Sequence, residues 1–568
     1  MSGDPAKPSL GRVCNISGSE ARLAITRSAA ARSKARTTVG EYVEIDTGRA
    51  LVVGMITEVS LDAESRRGED VEATARVELA GEIKTDASGR RIFRRGVTVY
   101  PAIGDDVFMA SADELRLVFG MGDADFIDIG TLHQDLGISA HVEVDEMLRK
   151  HFAIFGTTGV GKSSGVAVIL REILDRKPDL RLFLIDVHNE YGRCFGDRSV
   201  SLTPANLRLP FWLFNFEEII DVFYRGRPGV DEEVDILSEV IPLAKRMYGI
   251  SRNVQTDPGH TVDTPVPYRL GDLVSLIDDR MGKLENRSSR VIHNKLLQRI
   301  SGVVNDPRYA FMFEAANVGG DTMAAVIRQL FRVPSDSKPV TVMQIAGFPS
   351  EVVDSVVSVV GRMAFDFGLW SDGAVPLLFV CEEAHRYASA NHSLGFGPTR
   401  RAISRIAKEG RKYGVFLGLI SQRPAELDPT IISQCSTLFV MRLANERDQA
   451  IIRSAVSDGA ASLLNFIPAL GTREVFAFGE GVSMPTRLRF KQLPPEALPK
   501  SESVSNGRAI ERASEADFID TVIDRWRGAM TTQRIRAEED AAPPAPVPLD
   551  PQRYTILKKP AVPFGRDR

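Results

Sequence analysis

A short glycine-rich segment near position 160 has the residue types and spacing of a phosphate-binding loop, or P-loop. Gly156-Thr-Thr-Gly-Val-Gly-Lys162-Ser163 fits the pattern G-x-x-x-x-G-K-[ST] without a mismatch. Glycines let the backbone curl until several N–H groups face one point, and the positive end of the following helix strengthens this anion site. Lys162 can reach the β- and γ-phosphates, and the Ser163 hydroxyl can ligate Mg²⁺. The residues predicted to bind ATP and Mg²⁺ are Gly156, Thr157, Thr158, Gly159, Val160, Gly161, Lys162, Ser163 and Ser164.

The flanks of this loop have the strand–loop–helix pattern that the motif requires. The four apolar residues 152–155 are typical of a fully buried strand. Residues 166–173 have the apolar spacing of a helix. Because flanks and motif agree, the pattern favours a nucleotide site over a glycine-rich turn that contains a lysine by chance.

A P-loop site also needs acidic groups on a neighbouring strand, and one apolar run ends in two glutamates. The run 376–380 is followed by Cys381, Glu382 and Glu383. We expect the first carboxylate to hold the water shell of Mg²⁺ and the second to polarise the attacking water. Glu382 is therefore assigned to Mg²⁺ through water, and Glu383 is assigned as the general base. The alternative is a strand that ends in two solvated glutamates.

Two other predicted strands end in polar residues that would face the same ligand crevice. Asp186 ends the strand that follows the P-loop helix, and both Asp186 and Glu190 are expected to position water or magnesium. His188, between them, fits a turn as well as a functional role. Gln422 follows a further strand, where a glutamine can sense the γ-phosphate or align water.

A basic helix is predicted just before Gln422, over residues 400–412. Its positions 401, 405, 408 and 412 share one face at 3.6 residues per turn. This face is either solvated or offers an arginine to an ATP site across a subunit boundary, where such a group is worth roughly 10³–10⁵ in rate. Arg411 is the first choice because Gly410 ends the helix there, and Arg423 and Arg442 are the alternatives. The preceding connection, 389–397, is either a pore loop or a plain linker.

Length and composition indicate a multidomain protein of ordinary globular character. The chain has 568 residues, of which 43% are hydrophobic and 26% charged, and its formal net charge is −4. This charge predicts no general attraction to nucleic acid, so any DNA contact must use a local basic surface. Four widely spaced cysteines fit no metal site and indicate a reduced, cytoplasmic protein. We expect no signal peptide, and no membrane span, because no apolar run reaches about 18 residues.

Short alternating runs between about residues 11 and 120 predict a small antiparallel β-barrel. The clearest predicted strands are 42–45, 51–56, 75–79 and 97–100. A basic hairpin at residues 90–95 belongs to this region. It is interpreted either as a solvated loop or as a contact for DNA or a partner.

From residue 128 onwards, apolar strands alternate with amphipathic helices, which predicts a parallel α/β sheet. The predicted strands are 151–155, 180–185, 340–345, 376–380, 415–420 and 437–441. Between residues 216 and 338 the strand pattern disappears, and a helical insertion is predicted with helices at 217–224, 232–247, 270–281, 288–304 and 321–331. The tail is predicted to contain a helix at 513–529 and then a proline-rich arm, which either docks on a neighbouring subunit or has no structure.

These patterns predict five segments along the chain. They are a β-barrel (1–125), the first part of an α/β ATPase core (126–214), a helical insertion (215–338), the second part of the core (339–500) and a C-terminal helix with an arm (501–568).

Taken together, the motifs resemble those of the HerA-type hexameric ATPases in the FtsK–HerA superfamily. The resembling segments occur in matching order at 100–107, 151–163, 185–191, 380–387, 409–415 and 421–429. Two departures from the family pattern concern the acidic strand ends. Glu382 stands where an aspartate is commoner, and Val-His-Asn at 187–189 replaces Pro-His-Gly.

The resemblance implies a RecA-like P-loop ATPase core that carries a small β-barrel, a helical insertion and a C-terminal arm. It implies a homo-hexamer with ATP between subunits and double-stranded DNA in the central channel. It also implies a partner at the barrel face, either a nuclease in DNA repair or, in bacteria, a defence effector such as an NADase or a nuclease. The sequence has no clustered pattern of a nuclease site, so any cutting is assigned to another polypeptide.

Two functions follow from these expectations. The first is an ATP-hydrolysing DNA translocase or helicase that works with a partner in DNA end processing or antiviral defence. The second is a nucleotide-switched ring scaffold that activates an effector without DNA translocation, which the acidic net charge and the few basic runs favour. A conjugation or chromosome pump of the FtsK type is less consistent, because the sequence has neither membrane spans nor a winged-helix tail.

Overall fold

The computed structural model describes most of the chain. The described residues are 7–26, 37–61, 71–120, 125–251, 259–282, 287–314, 316, 320–346, 348, 351–391, 396–456, 462–500 and 523. The predicted helix at 513–529 and the proline-rich arm lie outside the described residues, apart from position 523. Among the described residues, no helix is long and apolar enough to cross a membrane.

The N-terminal region is a closed antiparallel barrel, as the sequence predicted. Its strands are β1 (Gly11–Ser17), β2 (Glu20–Thr26), β3 (Tyr42–Asp46), β4 (Leu51–Ser60), β5 (Val71–Thr85), β6 (Arg91–Arg95) and β7 (Asp106–Met109). The strand order is β2-β1-β7-β3-β4-β5-β6, and β2 also pairs with β5. This last pairing closes six strands into a barrel and leaves β6 as an extra strand on β5. Closure leaves the six barrel strands without a free edge between β2 and β5.

Apolar side chains from the strands fill the barrel. Leu23, Val43, Val52, Val77 and Val107 come from five different strands and are all fully buried in one cluster. Around Leu23 and Val77 buried residues alternate with more exposed ones, which is the period of a strand with one buried face, whereas β3 and most of β4 are buried along their length. The barrel therefore has a hydrophobic core of its own.

The predicted strand at 97–100 is wrong, because this segment is an irregular loop. The carboxylate of buried Glu82 accepts hydrogen bonds from the backbone N–H groups of Thr98 and Val99, at 3.1 and 3.2 Å. It also accepts from the Thr98 hydroxyl at 2.7 Å. A side chain from β5 thus satisfies the N–H groups that a neighbouring strand would otherwise need.

The ATPase region is built on one mixed sheet. Its strands are β8 (Phe126–Leu132), β9 (Ser139–Glu143), β10 (Phe152–Phe155), β11 (Arg181–Asp186), β12 (Ser199–Leu202), β13 (Val340–Gln344), β14 (Leu377–Cys381), β15 (Val415–Ser421), β16 (Thr437–Val440), β17 (Glu474–Gly479) and β18 (Thr486–Phe490). The order is β12-β13-β11-β14-β15-β10-β16-β17-β18-β8-β9. All six strands predicted for this region are confirmed.

The prediction of a parallel sheet is confirmed for the six predicted strands and is wrong for the four strands at one side of the sheet. The pairs from β12 to β16 are parallel, whereas those from β16 through β17, β18 and β8 to β9 are antiparallel. The connections β17–β18 and β8–β9 are short turns, and such turns join only antiparallel neighbours. The sequence prediction missed these four strands and the short edge strand β12.

Helices cover the sheet and form the predicted insertion. They are α1 (Ala112–Phe119), α2 (Val144–Arg149), α3 (Lys162–Arg176), α4 (Phe216–Tyr224), α5 (Asp231–Ser251), α6 (Leu270–Gly282), α7 (Arg287–Val304), α8 (Ala310–Phe313), α9 (Met323–Phe331), α10 (Val353–Trp370), α11 (Gly397–Glu409), α12 (Pro429–Ile432) and α13 (Glu446–Ala455). The five helices predicted between 216 and 338 are confirmed as α4, α5, α6, α7 and α9, and the described residues of that segment contain no strand. The domain boundaries themselves stay predictions.

The basic helix α11 ends at Glu409, three residues earlier than predicted. Gly410 terminates it, and a Cβ at this position would lie 2.5 Å from the carbonyl oxygen of Val415. Arg411 and Lys412 therefore belong to the 3₁₀ turn Gly410–Tyr413 that leads into β15. The close backbone approach explains why a glycine stands where the helix stops.

A buried histidine joins the start of β10 to its neighbours. His151 is 1% exposed and adopts the left-handed conformation, with φ of 62°. Its Nδ1 accepts from the N–H of Leu417 at 2.9 Å, and its Nε2 lies 3.0 Å from the carbonyl oxygen of Ala407, to which it donates. Burial lowers the pKa of His151 to about 4, so the ring is neutral at pH 7.

This burial predicts an acid-sensitive stability. In the unfolded chain the pKa of a histidine is about 6.5, so between pH 6.5 and about 4 the unfolded state binds more protons than the folded state. The contribution of His151 is fully present above pH 6.5 and is lost as pH falls, by up to about 3 kcal/mol. His151→Asn, which tolerates the left-handed backbone, should flatten this loss. Urea unfolding at several pH values in this range measures the free energy of unfolding. If this free energy fell equally with pH in the parental chain and in His151→Asn, the prediction would be contradicted.

Candidate active site

The sheet order brings the predicted site residues to one edge. The P-loop follows β10, Gln422 follows β15, Glu382 and Glu383 follow β14, and Asp186 ends β11. These strands are parallel neighbours, with β15 between β10 and β14. Their carboxyl ends therefore meet along one crevice, the place where open α/β sheets bind ligands.

Two glycines in left-handed conformations shape the P-loop. Gly159 and Gly161 have φ of 79° and 91°, and α3 begins directly after Gly161 at Lys162. A Cβ at Gly161 would lie 3.1 Å from the side chain of Arg473, whose N–H donates to the carbonyl of Val160 at 2.8 Å. Arg473 thus supports the loop from outside the motif, and sequence analysis missed it because no local pattern links the two segments.

The P-loop lysine and Gln422 converge on Glu383, and Thr158 holds Gln422. Lys162 Nζ lies 3.4 Å from Glu383 Oε1, and both side chains are buried. Gln422 Nε2 donates to the same oxygen, while Gln422 Oε1 accepts from the Thr158 hydroxyl at 2.6 Å. Burial lowers the pKa of Lys162, and the neighbouring Glu383 opposes that effect. The structure therefore rejects the alternative of a solvated glutamate at position 383.

The backbone at Glu383 is in an unusual conformation that serves this geometry. Its φ of 47° lies in the left-handed region, which costs a non-glycine residue about 1–2 kcal/mol. Glu383 lies two residues after the end of β14 and directly precedes the 3₁₀ turn Ala384–Arg386. Such outliers in ordered structure concentrate at functional sites.

Two histidines flank the same carboxylate. His385 Nδ1 lies 3.3 Å from Glu383 Oε2 and 3.1 Å from the hydroxyl oxygen of Ser421. His188 Nε2 lies 3.9 Å from Glu383 Oε1. Burial lowers the pKa of His385. No role was predicted for His385, although it stands only two residues after Glu383 in the sequence.

The other two acidic residues form a separate buried pair beside Glu383. Glu382 accepts from the N–H of Val187 at 2.9 Å, and Asp186 accepts from the N–H groups of Glu190 and Tyr191 at 3.0 and 2.9 Å. Burial raises the pKa of Glu382 well above its usual range, and the nearby Asp186 charge adds to this effect. Burial likewise raises the pKa of Asp186, against the hydrogen bonds from the backbone.

These groups fit Mg²⁺ that is brought in with ATP. Carboxylate, hydroxyl and phosphate oxygens are the ligands that Mg²⁺ prefers, and buried Glu382 is close enough to Lys162 for their charges to interact. Within the described part of the chain, no group of three or more His, Cys, Asp and Glu could hold a metal alone.

Arg411, the arginine predicted to act across a subunit boundary, lies at the opposite edge of the sheet. It precedes β15, whereas Gln422 follows that strand, and it lines a surface cavity together with His151, which precedes β10. A strand of this length spans roughly 20 Å. Arg411 is exposed and does not approach the P-loop of its own chain.

The two alternatives to Arg411 lie near the P-loop, but each makes a contact that does not involve Lys162 or Glu383. Arg423 forms an exposed ion pair with Glu426 at 2.9 Å. Arg442 offers its carbonyl oxygen to the N–H and hydroxyl of Thr157, at 3.1 and 3.2 Å. On the basic face of α11, Arg401 pairs with Glu217 and Arg405 with Asp366, so part of that face is neutralised within the chain.

The sequence of this chain is similar to those of known DNA helicases. Residues 127–364 match the family model of the central domain of the helicase HerA. This segment is a HerA-type central domain. It contains the P-loop, Asp186, the helical insertion and most of α10, while the glutamates after β14 and Gln422 lie beyond it.

Curated relatives align with most of the length of the chain. The DNA double-strand break repair helicase HerA of Pyrococcus furiosus is 25% identical over 472 residues, covering 76% of this chain and 80% of the relative. The probable helicase MJECL08 of Methanocaldococcus jannaschii is 26% identical over 416 residues, covering 69% and 75%. The solved structure of VirB4 of Thermoanaerobacter pseudethanolicus aligns with a TM-score of 0.47 at 16% identity, covering 66% of this chain and 98% of that one. With its P-loop and the glutamate beside it, the chain is an ATPase.

Removal of the P-loop lysine should abolish tight nucleotide binding. Lys162→Ala deletes the ammonium that contacts the phosphates and leaves Glu383 buried beside its site, so we expect affinity for ATP to fall at least about 100-fold. Titration with a fluorescent ATP analogue measures the change. Lys150→Ala, which removes an exposed lysine paired with Glu480, is the matched control and should bind as the parental chain does. Unchanged affinity in Lys162→Ala would contradict the site.

Proposed function

We propose that the chain is an ATP-driven translocase on double-stranded DNA that works as a ring of identical subunits. The observation that carries this proposal is the position of the catalytic groups. Lys162, Gln422 and Glu383 meet at one edge of the sheet, whereas exposed Arg411 lies at the other edge of the same sheet. A ring in which the two edges of successive subunits face each other completes every site.

The residues of one subunit would divide the work of hydrolysis. Lys162 contacts the β- and γ-phosphates, and Ser163 with Glu382, through water, holds Mg²⁺. Mg²⁺ supplies charge neutralisation on the phosphates when it is bound. Glu383 takes the proton of the attacking water, and Gln422 aligns that water and senses the γ-phosphate. Asp186 holds the loop after β11 by accepting from the N–H groups of Glu190 and Tyr191, and Val187 in this loop donates to Glu382.

Arg411 of the neighbouring subunit would supply the remaining positive charge. A cation is needed where negative charge develops on the γ-phosphate, and Arg423 next to the site is already paired with Glu426. Front-to-back packing of identical subunits forms a closed ring when the rotation closes. Six subunits are proposed by analogy with the HerA-type ATPases.

The proposal for DNA rests on the relatives and on local charge. Several of the curated relatives are named as DNA double-strand break repair helicases, and they share most of their length with this chain. Since the net charge is −4, the contact must be confined to basic patches such as the exposed positions of α11. A nuclease or an NADase-type effector at the barrel face, in end processing or antiviral defence, would use the motion.

A ring scaffold is the second candidate. Arg401 and Arg405 form ion pairs with acidic residues of the same chain, and this reduces the basic surface that α11 could offer to DNA. In this alternative, ATP switches the ring between states that hold an effector inactive or active, and no DNA is moved.

The arrangement in trans can be tested by mixing two inactive variants. Arg411→Ala keeps its P-loop but offers no cation, and should bind ATP normally while turnover falls about 10³-fold or more. Lys162→Ala lacks a nucleotide site but still offers Arg411. Co-assembled at equal amounts, they should regain up to about a quarter of the parental rate, because a random ring joins a complete pair at one site in four.

The control for this experiment is Lys412→Ala, which removes the adjacent exposed cation and should hydrolyse ATP at the parental rate. A mixture that stays as inactive as its components would show that Arg411 acts within its own chain or not at all. Full turnover by Arg411→Ala alone would move the role to Arg423 or Arg442.

A base-deficient variant separates the motor from the scaffold. Glu383→Gln keeps the size and the contact with Gln422 but cannot take a proton, so it should bind ATP without turnover. A motor predicts that this variant loses DNA-stimulated, salt-sensitive ATP hydrolysis and any activity of the bound partner. Parental partner activity in the Glu383→Gln ring would support the scaffold instead.

A further inference from the structure

The two oxygens of the Glu383 carboxylate have different surroundings. Oε1 faces Lys162 and Gln422, both of which contact it. Oε2 is buried and makes no hydrogen bond within the described residues. The donor beside Oε2 is Nδ1 of His385, at 3.3 Å, and the same nitrogen lies 3.1 Å from Ser421 Oγ. The side chain of His385 is 15% exposed.

The protonation of the His385 ring follows from these neighbours. A lone pair on Nδ1 would face the lone pairs of a carboxylate oxygen, which is repulsive, so Nδ1 carries the hydrogen and points it between Oε2 and Ser421. Ser421 Oγ in turn accepts the N–H of Arg423 at 3.0 Å, which anchors it to the segment that carries Gln422. His385 thus connects the ends of β14 and β15 behind the carboxylate.

ATP binding would remove the other partners of Glu383. Lys162 and Gln422 are the groups that would contact the γ-phosphate. Each side chain can contact either the phosphate or Glu383, so binding of the phosphate breaks their contacts with Glu383. When both turn to the phosphate, Oε1 can accept a proton, with His188 Nε2 3.9 Å away, and Oε2 keeps its contact with His385 at 3.3 Å. A carboxylate without a fixed neighbour would rotate, and small misplacement of a base is costly in rate.

We propose that His385 is the positioning residue for the general base, holding Oε2 through Nδ1 so that Oε1 faces the attacking water. This inference rests on the proposed role of Glu383. In the step it serves, the water gives its proton to Oε1, its oxygen bonds to the γ-phosphorus, and the bond from that phosphorus to the bridging oxygen of ADP breaks.

The two amide residues that resemble histidine provide a matched test. The side-chain nitrogen of asparagine occupies nearly the place of Nδ1, whereas that of glutamine lies nearer the place of Nε2. His385→Ala and His385→Gln should lower kcat at least about tenfold with KM for ATP and affinity for a fluorescent ATP analogue unchanged. His385→Asn should retain kcat within about threefold of the parental chain, because it restores the donor at Nδ1.

A double variant tests whether any effect of His385 depends on Glu383. In the Glu383→Gln background, adding His385→Ala should leave the residual rate unchanged, because the residue that it positions is already inactive. Thermal unfolding midpoints of all variants identify any that fail to fold. If His385→Ala destabilises the chain, the comparison of the Asn and Gln variants decides the question alone.

The outcomes are distinguishable. Parental turnover in Glu383→Gln would overturn the proposed base and this inference with it. An inactive Glu383→Gln with parental kcat in His385→Ala would overturn this inference alone. Equal loss in the Asn and Gln variants, or a further loss in the double variant, would also overturn it, since His385 would then act through something other than Glu383.

Discussion

The active site depends on the contact between the ammonium of Lys162 and the carboxylate of Glu383. Both groups are buried, and an unpaired charge in such a place costs several kcal/mol. Each therefore needs the other until a phosphate offers a second anion to the lysine. On our proposal, this makes ATP binding an exchange of partners. The nucleotide takes Lys162 and Gln422, and the glutamate that they held becomes available to water while His385 keeps it oriented.

One strand connects the two edges that the proposed ring requires. β15 lies between β10 and β14, ends beside Gln422 and begins just after Arg411. Its amino end is held by His151, whose ring accepts from the N–H of Leu417 and donates to the carbonyl of Ala407. In a ring, the same strand would contact its own nucleotide at one end and that of a neighbour at the other. Because β15 is packed rigidly at both ends, it would couple the nucleotide sites of successive subunits through the length of one strand.

Much of this arrangement was predictable because its determinants are local. The eight-residue motif, the apolar runs and the glutamates after β14 each lie within one short segment, and parallel strands oblige their carboxyl ends to meet. The helices of the insertion were predicted from apolar spacing. Some of the failures have non-local causes. Residues 97–100 look like a strand, yet Glu82, from another strand, takes their N–H groups. The antiparallel part of the sheet was also missed: β8–β9 and β17–β18 are local hairpins, whereas the pairing of β18 with β8 joins segments that are distant in the chain.

The sequence by itself determined that this chain binds ATP, which strand ends carry its acids, and that a barrel precedes an α/β core. These features follow from residue type and spacing within a few turns of the chain. Only the tertiary structure decided which oxygen of Glu383 meets Lys162, that His385 and Arg473 support the site, and that Arg411 lies away from its own P-loop. The physical reason is that such contacts join residues from separate strands, and their geometry is set by the order in which the sheet packs them.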